Sequence, residues 1–348
     1  MPNLNAFSAN IKTFVLNILH KDSPMIVPEY WAEAKIRYNH NEQQITIQRF
    51  GWSDISQDVA QHQAKTRAYE ALQNWINGKQ IIFKELKINY NGAEGLPIRE
   101  QIISRHDDIV ITRNSYGALC LNTPDVAFAD IDFYKHPLLS RLNFFKEHWS
   151  LILLCITLIL SIAIGLTTYN FNLFWIALII TVIAFMVETN LSHEHRYYIL
   201  LRKLEKFSLS NPVWGFRLYE TPAGLRVLFT HKTFSPHSTE IKKFFNSFRV
   251  DPLYSLMCKN QQCFRARLTP KPWRIGLKPM NPRDQWPISP NKLAARNNWI
   301  NNYQAKAVHY AACRFIKSFG NQIIDEKVMK AIELHDHFCK ALSYLPIA

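Results

Sequence analysis

WSLILLCITLILSIAIGLTTYNFNLFWIALIITVIAFMV, residues 149–187, sets two apolar runs around a short uncharged turn in an otherwise polar chain. Leu151 to Leu166 is interrupted only by Thr157 and Ser161, and Phe174 to Val187 only by Thr181. With its flanks each run approaches the roughly 20 apolar residues of a spanning helix. Helices carry their own backbone hydrogen bonds into lipid, and two of them return the chain to the side it left. The expectation is a two-helix transmembrane hairpin. Lys135, Arg141 and Lys146 precede it, Arg196, Arg202, Lys203 and Lys206 follow it, and the turn has no charge. The positive-inside bias then predicts an integral membrane protein with both termini cytoplasmic, in a bacterial inner membrane. A buried hairpin in a soluble core is the alternative.

Outside this segment about 300 residues remain, enough for one large domain or two modest ones. The 41 Lys and Arg against 27 Asp and Glu give a net charge of +14, which favours anionic partners: nucleic acid, nucleotides or an anionic lipid surface. Six cysteines without a regular framework predict reduced thiols. Phe7, Ile11, Phe14, Val15, Ile18 and Leu19 recur at helical spacing, suiting a helix packed on the protein or lying on the bilayer.

Ser53 to Ile76 carries an amphipathic helical pattern with Ala60, Ala64, Ala68, Ala71, Leu72 and Trp75 as its buried stripe. Strands are predicted at Ile109 to Thr112 and Ala118 to Leu121 around a turn, at Val126 to Phe133, at Gly215 to Tyr219 and Arg226 to Thr230, and at Phe264 to Leu268. Ile241 to Phe248 reads as a helix, Pro270 to Pro290 as a looping segment, and Leu293 to Leu342 as two helices separated near Gly320. The predicted fold class is α+β, a mixed or antiparallel sheet domain with the transmembrane hairpin inserted. Residues 1–145 and 195–290 form its halves, 149–190 the hairpin, and 291–348 a C-terminal helical segment.

Three stretches carry candidate chemistry. In Asp125-Val-Ala-Phe-Ala-Asp130-Ile-Asp132-Phe133 the period of a strand places Asp130 and Asp132 on one face, continuing an apolar face. Adjacent carboxylates repel unless a cation sits between them, which is how divalent sites for phosphoryl transfer are built; a strand end running into solvent is the alternative. In Trp214 to His231 a small-residue turn, Thr221-Pro-Ala-Gly224, lets a phosphate approach Arg226, or simply closes a surface hairpin. Val250-Asp251-Pro-Leu-Tyr254 precedes the cationic run Phe264-Arg265-Ala-Arg267-Leu-Thr-Pro-Lys271-Pro-Trp273-Arg274, with no acid between Lys259 and Arg283. That run faces water or an anion, and Phe264 and Trp273 are placed to stack bases.

Taken in order, these three motifs resemble the catalytic core of archaeo-eukaryotic primases and primase-polymerases over 126–133 and 215–274. The resemblance implies Asp130, Asp132 and Asp251 as catalytic ligands of Mg or Mn, and Arg226, Arg265, Arg267 and Lys271 as contacts to a nucleoside triphosphate or nucleic acid. The family's second motif ends in His, where this chain has Arg226. The function expected is metal-dependent nucleotidyl transfer on a membrane anchor. The alternative is a non-enzymatic membrane-tethered module that binds nucleic acid, anionic lipid of the bilayer, or protein. His335, His337 and Cys339 lack a standard zinc spacing; on a helix His335 and Cys339 share a face and His337 points away, which favours packing.

Overall fold

In a computed structural model the described residues are 27–40, 43–85, 95–133 and 197–348, with six isolated positions between 159 and 179. The fold is α+β, and every pairing between its named strands is antiparallel. Strands β1 (Tyr30–His40) and β2 (Gln43–Ser53) form a two-stranded ribbon in register from Tyr30 opposite Ser53 to His40 opposite Gln43. Helix α1 (Gln57–Ile76) crosses it. The helix starts where Ser56 caps it, its side chain accepting a hydrogen bond from the Val59 amide. Its buried stripe is Ala60, Ala64, Ala68, Ala71 and Leu72, as the spacing predicts, while Trp75, expected with them, is half-buried. The alanines let the helix backbone close on the ribbon: a Cβ on Gly51 would lie 2.2 Å from the Ala60 carbonyl oxygen.

A four-stranded sheet runs in the order β3 (Gln101–His106), β4 (Ile109–Arg113), β5 (Leu119–Thr123), β9 (Phe264–Arg267). A second runs β10 (Arg314–Gly320), β7 (Gly215–Thr221), β8 (Gly224–Phe229), β6 (Phe128–Asp132). One continuous core joins them, with Ile109, Ile111 and Leu121 from the first sheet and Phe128, Val227 and Leu228 from the second. The Tyr254 hydroxyl ties the two at the seam, 3.1 Å from the carbonyl oxygens of both Phe128 in β6 and Arg265 in β9.

Residues 197–210 are helical (α2), and α3 (Thr239–Phe248) buries Ile241, Phe244, Phe245 and Phe248 at helical spacing. Phe244 packs on Phe248 and edge-on against Phe229, with ring centroids 4.3 and 4.7 Å apart. Helix α4 (Pro252–Asn260) follows, then 3₁₀ turns through 272–292, and helices α5 (Leu293–Ala307) and α6 (Glu326–Cys339).

Two expectations are corrected. No helix among the described residues is long and apolar enough to cross a membrane; the 20-residue α1 carries Asp58, Lys65, Arg67 and Glu70, each costly in hydrocarbon. This overturns the expected integral membrane protein with two transmembrane helices, its inner-membrane location and its cytoplasmic termini. The 149–190 stretch behind that expectation lies, isolated positions aside, outside the described residues, as does the N-terminal helix expected near residues 7–19. Second, where two helices are predicted after Leu293, the chain inserts β10 between them. This edge strand pairs with β7 and is largely half-exposed, with Lys317 bonded to Glu205, so its polar sequence conceals it.

Candidate functional site

Asp130 lies opposite Arg226 across the β6–β8 ladder, and the two side chains join in a bidentate pair: Arg226 Nε donates to Asp130 Oδ1 at 2.6 Å and Nη2 to Oδ2 at 2.9 Å. Arg226 is only 1% exposed, while the Asp130 side chain is 45% exposed. The remaining guanidinium nitrogen donates to the Arg267 carbonyl at 2.9 Å and lies 3.2 Å from His335 Nε2. Burial opposes the charge of Asp130, but Arg226 first, and then Arg267 and His335, offset this and hold its pKa below the ordinary value. The residue expected to contact triphosphate is therefore a core cation, and its carboxylate partner is one of the expected metal ligands. The nearby His231 does not stand in for the missing motif histidine: its Nδ1 sits 3.1 Å from the Gly215 amide, on the Trp214 side of the sheet.

The small-residue turn at 221–224 has a packing cause as well. A Cβ on Gly224 would stand 2.0 Å from the Ile131 carbonyl oxygen, so the glycine is what lets β8 close on β6.

Arg265 is also committed. Its Nη2 donates to Glu100 at 2.7 Å with both side chains largely buried, and although desolvation opposes its charge, Glu100 raises its pKa. Asp251 caps α4, accepting the Leu253 amide at 2.9 Å.

The other expected residues converge at the outer end of β6 and β9. Asp132 is exposed, and its pKa is raised by desolvation first, then by the neighbouring Asp130 and Asp251 carboxylates, against the pull of Lys271 and Arg274. Lys271 has a lowered pKa from burial first, then from repulsion by Arg267 and Arg274. Its ammonium lies over the Trp273 ring, 5.4 Å from the centroid, and Trp273 packs edge-on to Tyr116 while remaining 51% exposed. In the short 3₁₀ helix Pro272–Ile275, Arg274 has a lowered pKa, from burial first and then from repulsion by Arg267, against the pull of Asp132. Arg274 Nη1 is buried with no hydrogen-bond partner among the described residues. The result is a group of cations, Arg267, Lys271 and Arg274, beside an exposed indole, with the exposed carboxylates of Asp132 and Asp251 acting on one another.

Among the described residues, the three carboxylates Asp130, Asp132 and Asp251 do not form a close ligand group; the group that does is Cys313, His335 and Cys339, whose donor atoms lie within 4.8 Å of one another. His335 and Cys339 share the buried face of α6 and His337 is exposed, as their spacing predicts; Cys313, from the loop before β10, joins them across the chain. Glu100 and Asp336, the acids that pair with Arg265 and Arg217, are far from them in sequence; for Arg265 alone, a cationic run lacking local acids hints that such a partner exists.

Compared with known proteins, the chain matches no protein-family model, no curated sequence and no solved structure.

Proposed function

We propose that the chain is a binding module for nucleotide phosphates, free or in single-stranded nucleic acid, held by Arg267, Lys271 and Arg274 with Trp273 stacking on a base. The carrying observation is the exposed Trp273 ring under the Lys271 ammonium, beside Arg267 and Arg274, with the Lys271 pKa lowered by burial first and then by those two cations. A phosphate among these cations relieves their repulsion through charge-assisted hydrogen bonds. An exposed aromatic beside a cationic track is the arrangement that grips a strand with little sequence preference. The net charge of +14 adds the long-range attraction.

Metal-dependent nucleotidyl transfer, the activity implied by the primase resemblance, is a second reading, and one observation favours it. Asp132 is destabilised by Asp130 and Asp251, and Mg or Mn would relieve that repulsion.

The test is fluorescence anisotropy of a dye-labelled thymidine oligonucleotide against salt, with and without Mg²⁺. Arg274→Ala and Lys271→Ala should each weaken binding roughly tenfold, about 1.4 kcal/mol, and flatten the salt slope by about one contact. Lys65→Ala on the outer face of α1 should not. Equal affinity in all four proteins rejects the binding site, and tightening by Mg²⁺ that Asp132→Asn removes would favour the second reading.

A further inference from the structure

We infer that Cys313, His335 and Cys339 form a zinc site inside the core, a site that stands apart from the phosphate-binding reading. The three residues are fully buried and their donor atoms already lie within 4.8 Å of one another, with Cys313 Sγ 3.8 Å from His335 Nε2. Ligand atoms around a tetrahedral zinc, with bonds of about 2.3 Å to sulfur and 2.0 Å to nitrogen, lie about 3.5 to 3.8 Å apart. Little movement closes the set.

The surroundings prepare it. His335 Nδ1 lies 2.9 Å from Asp336 Oδ1, and the other Asp336 oxygen accepts from Arg217 Nη2 at 2.7 Å. A carboxylate fixed in this way holds the proton on Nδ1 and turns the Nε2 lone pair toward the sulfurs, the arrangement that orients histidine ligands at metal centres. The charges balance: two thiolates neutralise one Zn²⁺, while the Arg226 guanidinium beside them is matched by Asp130. Arg226 Nη1 faces the Nε2 lone pair, and a metal that takes this lone pair leaves the guanidinium its bonds to Asp130 and to the Arg267 carbonyl. Any thiol proton displaced by the metal passes to solvent.

Full burial argues against the competing use of a Cys-His-Asp set as a nucleophile, because no substrate reaches Cys313. A metal that ties the loop before β10 to α6 instead fastens the edge strand of the second sheet to its last helix.

The test measures metal in the reduced, full-length chain by mass spectrometry and then replaces zinc with Co²⁺. One zinc per chain and a near-ultraviolet thiolate-to-cobalt charge-transfer band are expected. His337→Ala, exposed on the same helix, should keep both. Asp336→Asn, which leaves all three ligands in place, should weaken zinc binding by about 10- to 100-fold. Cys339→Ser should lose the band; because Cys339 is also a core residue, the wild-type band and the Asp336→Asn affinity decide. Absence of metal and of the band in folded wild type overturns the site, as does a Cys313–Cys339 disulfide in the freshly isolated chain.

Discussion

Replacing Asp130 by Asn asks whether that carboxylate serves a metal or the fold. In the structure its charge answers a guanidinium that is 1% exposed and receives two hydrogen bonds from it. Asparagine keeps one acceptor and removes the charge, leaving Arg226 buried with only the Arg267 carbonyl and His335 as further partners. Breaking a buried pair from one side is destabilising by 3–5 kcal/mol; the half-exposed carboxylate places this one near the lower end, at about 3 kcal/mol. The converse change, Arg226→Met, strands a carboxylate that water can reach, so it should cost about 2 kcal/mol. The double variant should cost less than the sum of the two, because the second change removes the charge that the first stranded. Urea unfolding of the four proteins, with an unchanged dependence on denaturant, reads these differences directly. A pair of carboxylates waiting for a metal behaves oppositely: neutralising one relieves repulsion and raises metal-free stability. An Asp130→Asn midpoint at or above wild type in metal-free buffer therefore refutes the ion-pair account.

Asp132 supplies a pH test. Its pKa is raised in the folded chain by desolvation, then by Asp130 and Asp251, so the folded form binds its proton more tightly than the unfolded form. The stability this proton confers is complete below the unfolded value of about 3.9 and is lost as pH rises through the raised one. Asp132→Asn should raise the thermal midpoint at neutral pH and lose its advantage in acid below about pH 3.9; an advantage of equal size at both would reject the charge explanation. Gly224→Ala should destabilise by about 2 kcal/mol or more, since its Cβ would meet the β6 backbone, 2.0 Å from Ile131 O and 2.8 Å from Asp132 Cα. A far-ultraviolet melt of the variant that overlays wild type would contradict that packing. Asp251→Ala removes the α4 cap and should cost about 1 kcal/mol; lost nucleotide affinity with unchanged stability would instead make Asp251 a ligand.

Local pattern fixed more of this molecule than its site. The alanine stripe of α1, the apolar face of α3 and the strands that became β4 to β9 were legible because each depends on the spacing of neighbours along the chain. The shared face of His335 and Cys339, with His337 turned away, follows from the turn of one helix. Strand β10 was not legible, because an edge strand keeps half its side chains in water and its pairing with β7 is decided a hundred residues away. The membrane expectation came from apolar length alone, and no described helix bears it out.

The candidate site shows the same division. Sequence by itself identified Asp130, Asp132, Asp251 and the cationic run from Arg265 to Arg274 as the residues with chemistry to spare. Only the tertiary structure decided which of them remain free. Arg226 is spent on Asp130 and Arg265 on Glu100, while Lys271 and Arg274 are left to pull on Asp132 beside an exposed indole. Charge is a property of the residue, but its availability depends on the partner that folding brings to it, and folding brought the partners of these arginines from more than 90 residues away.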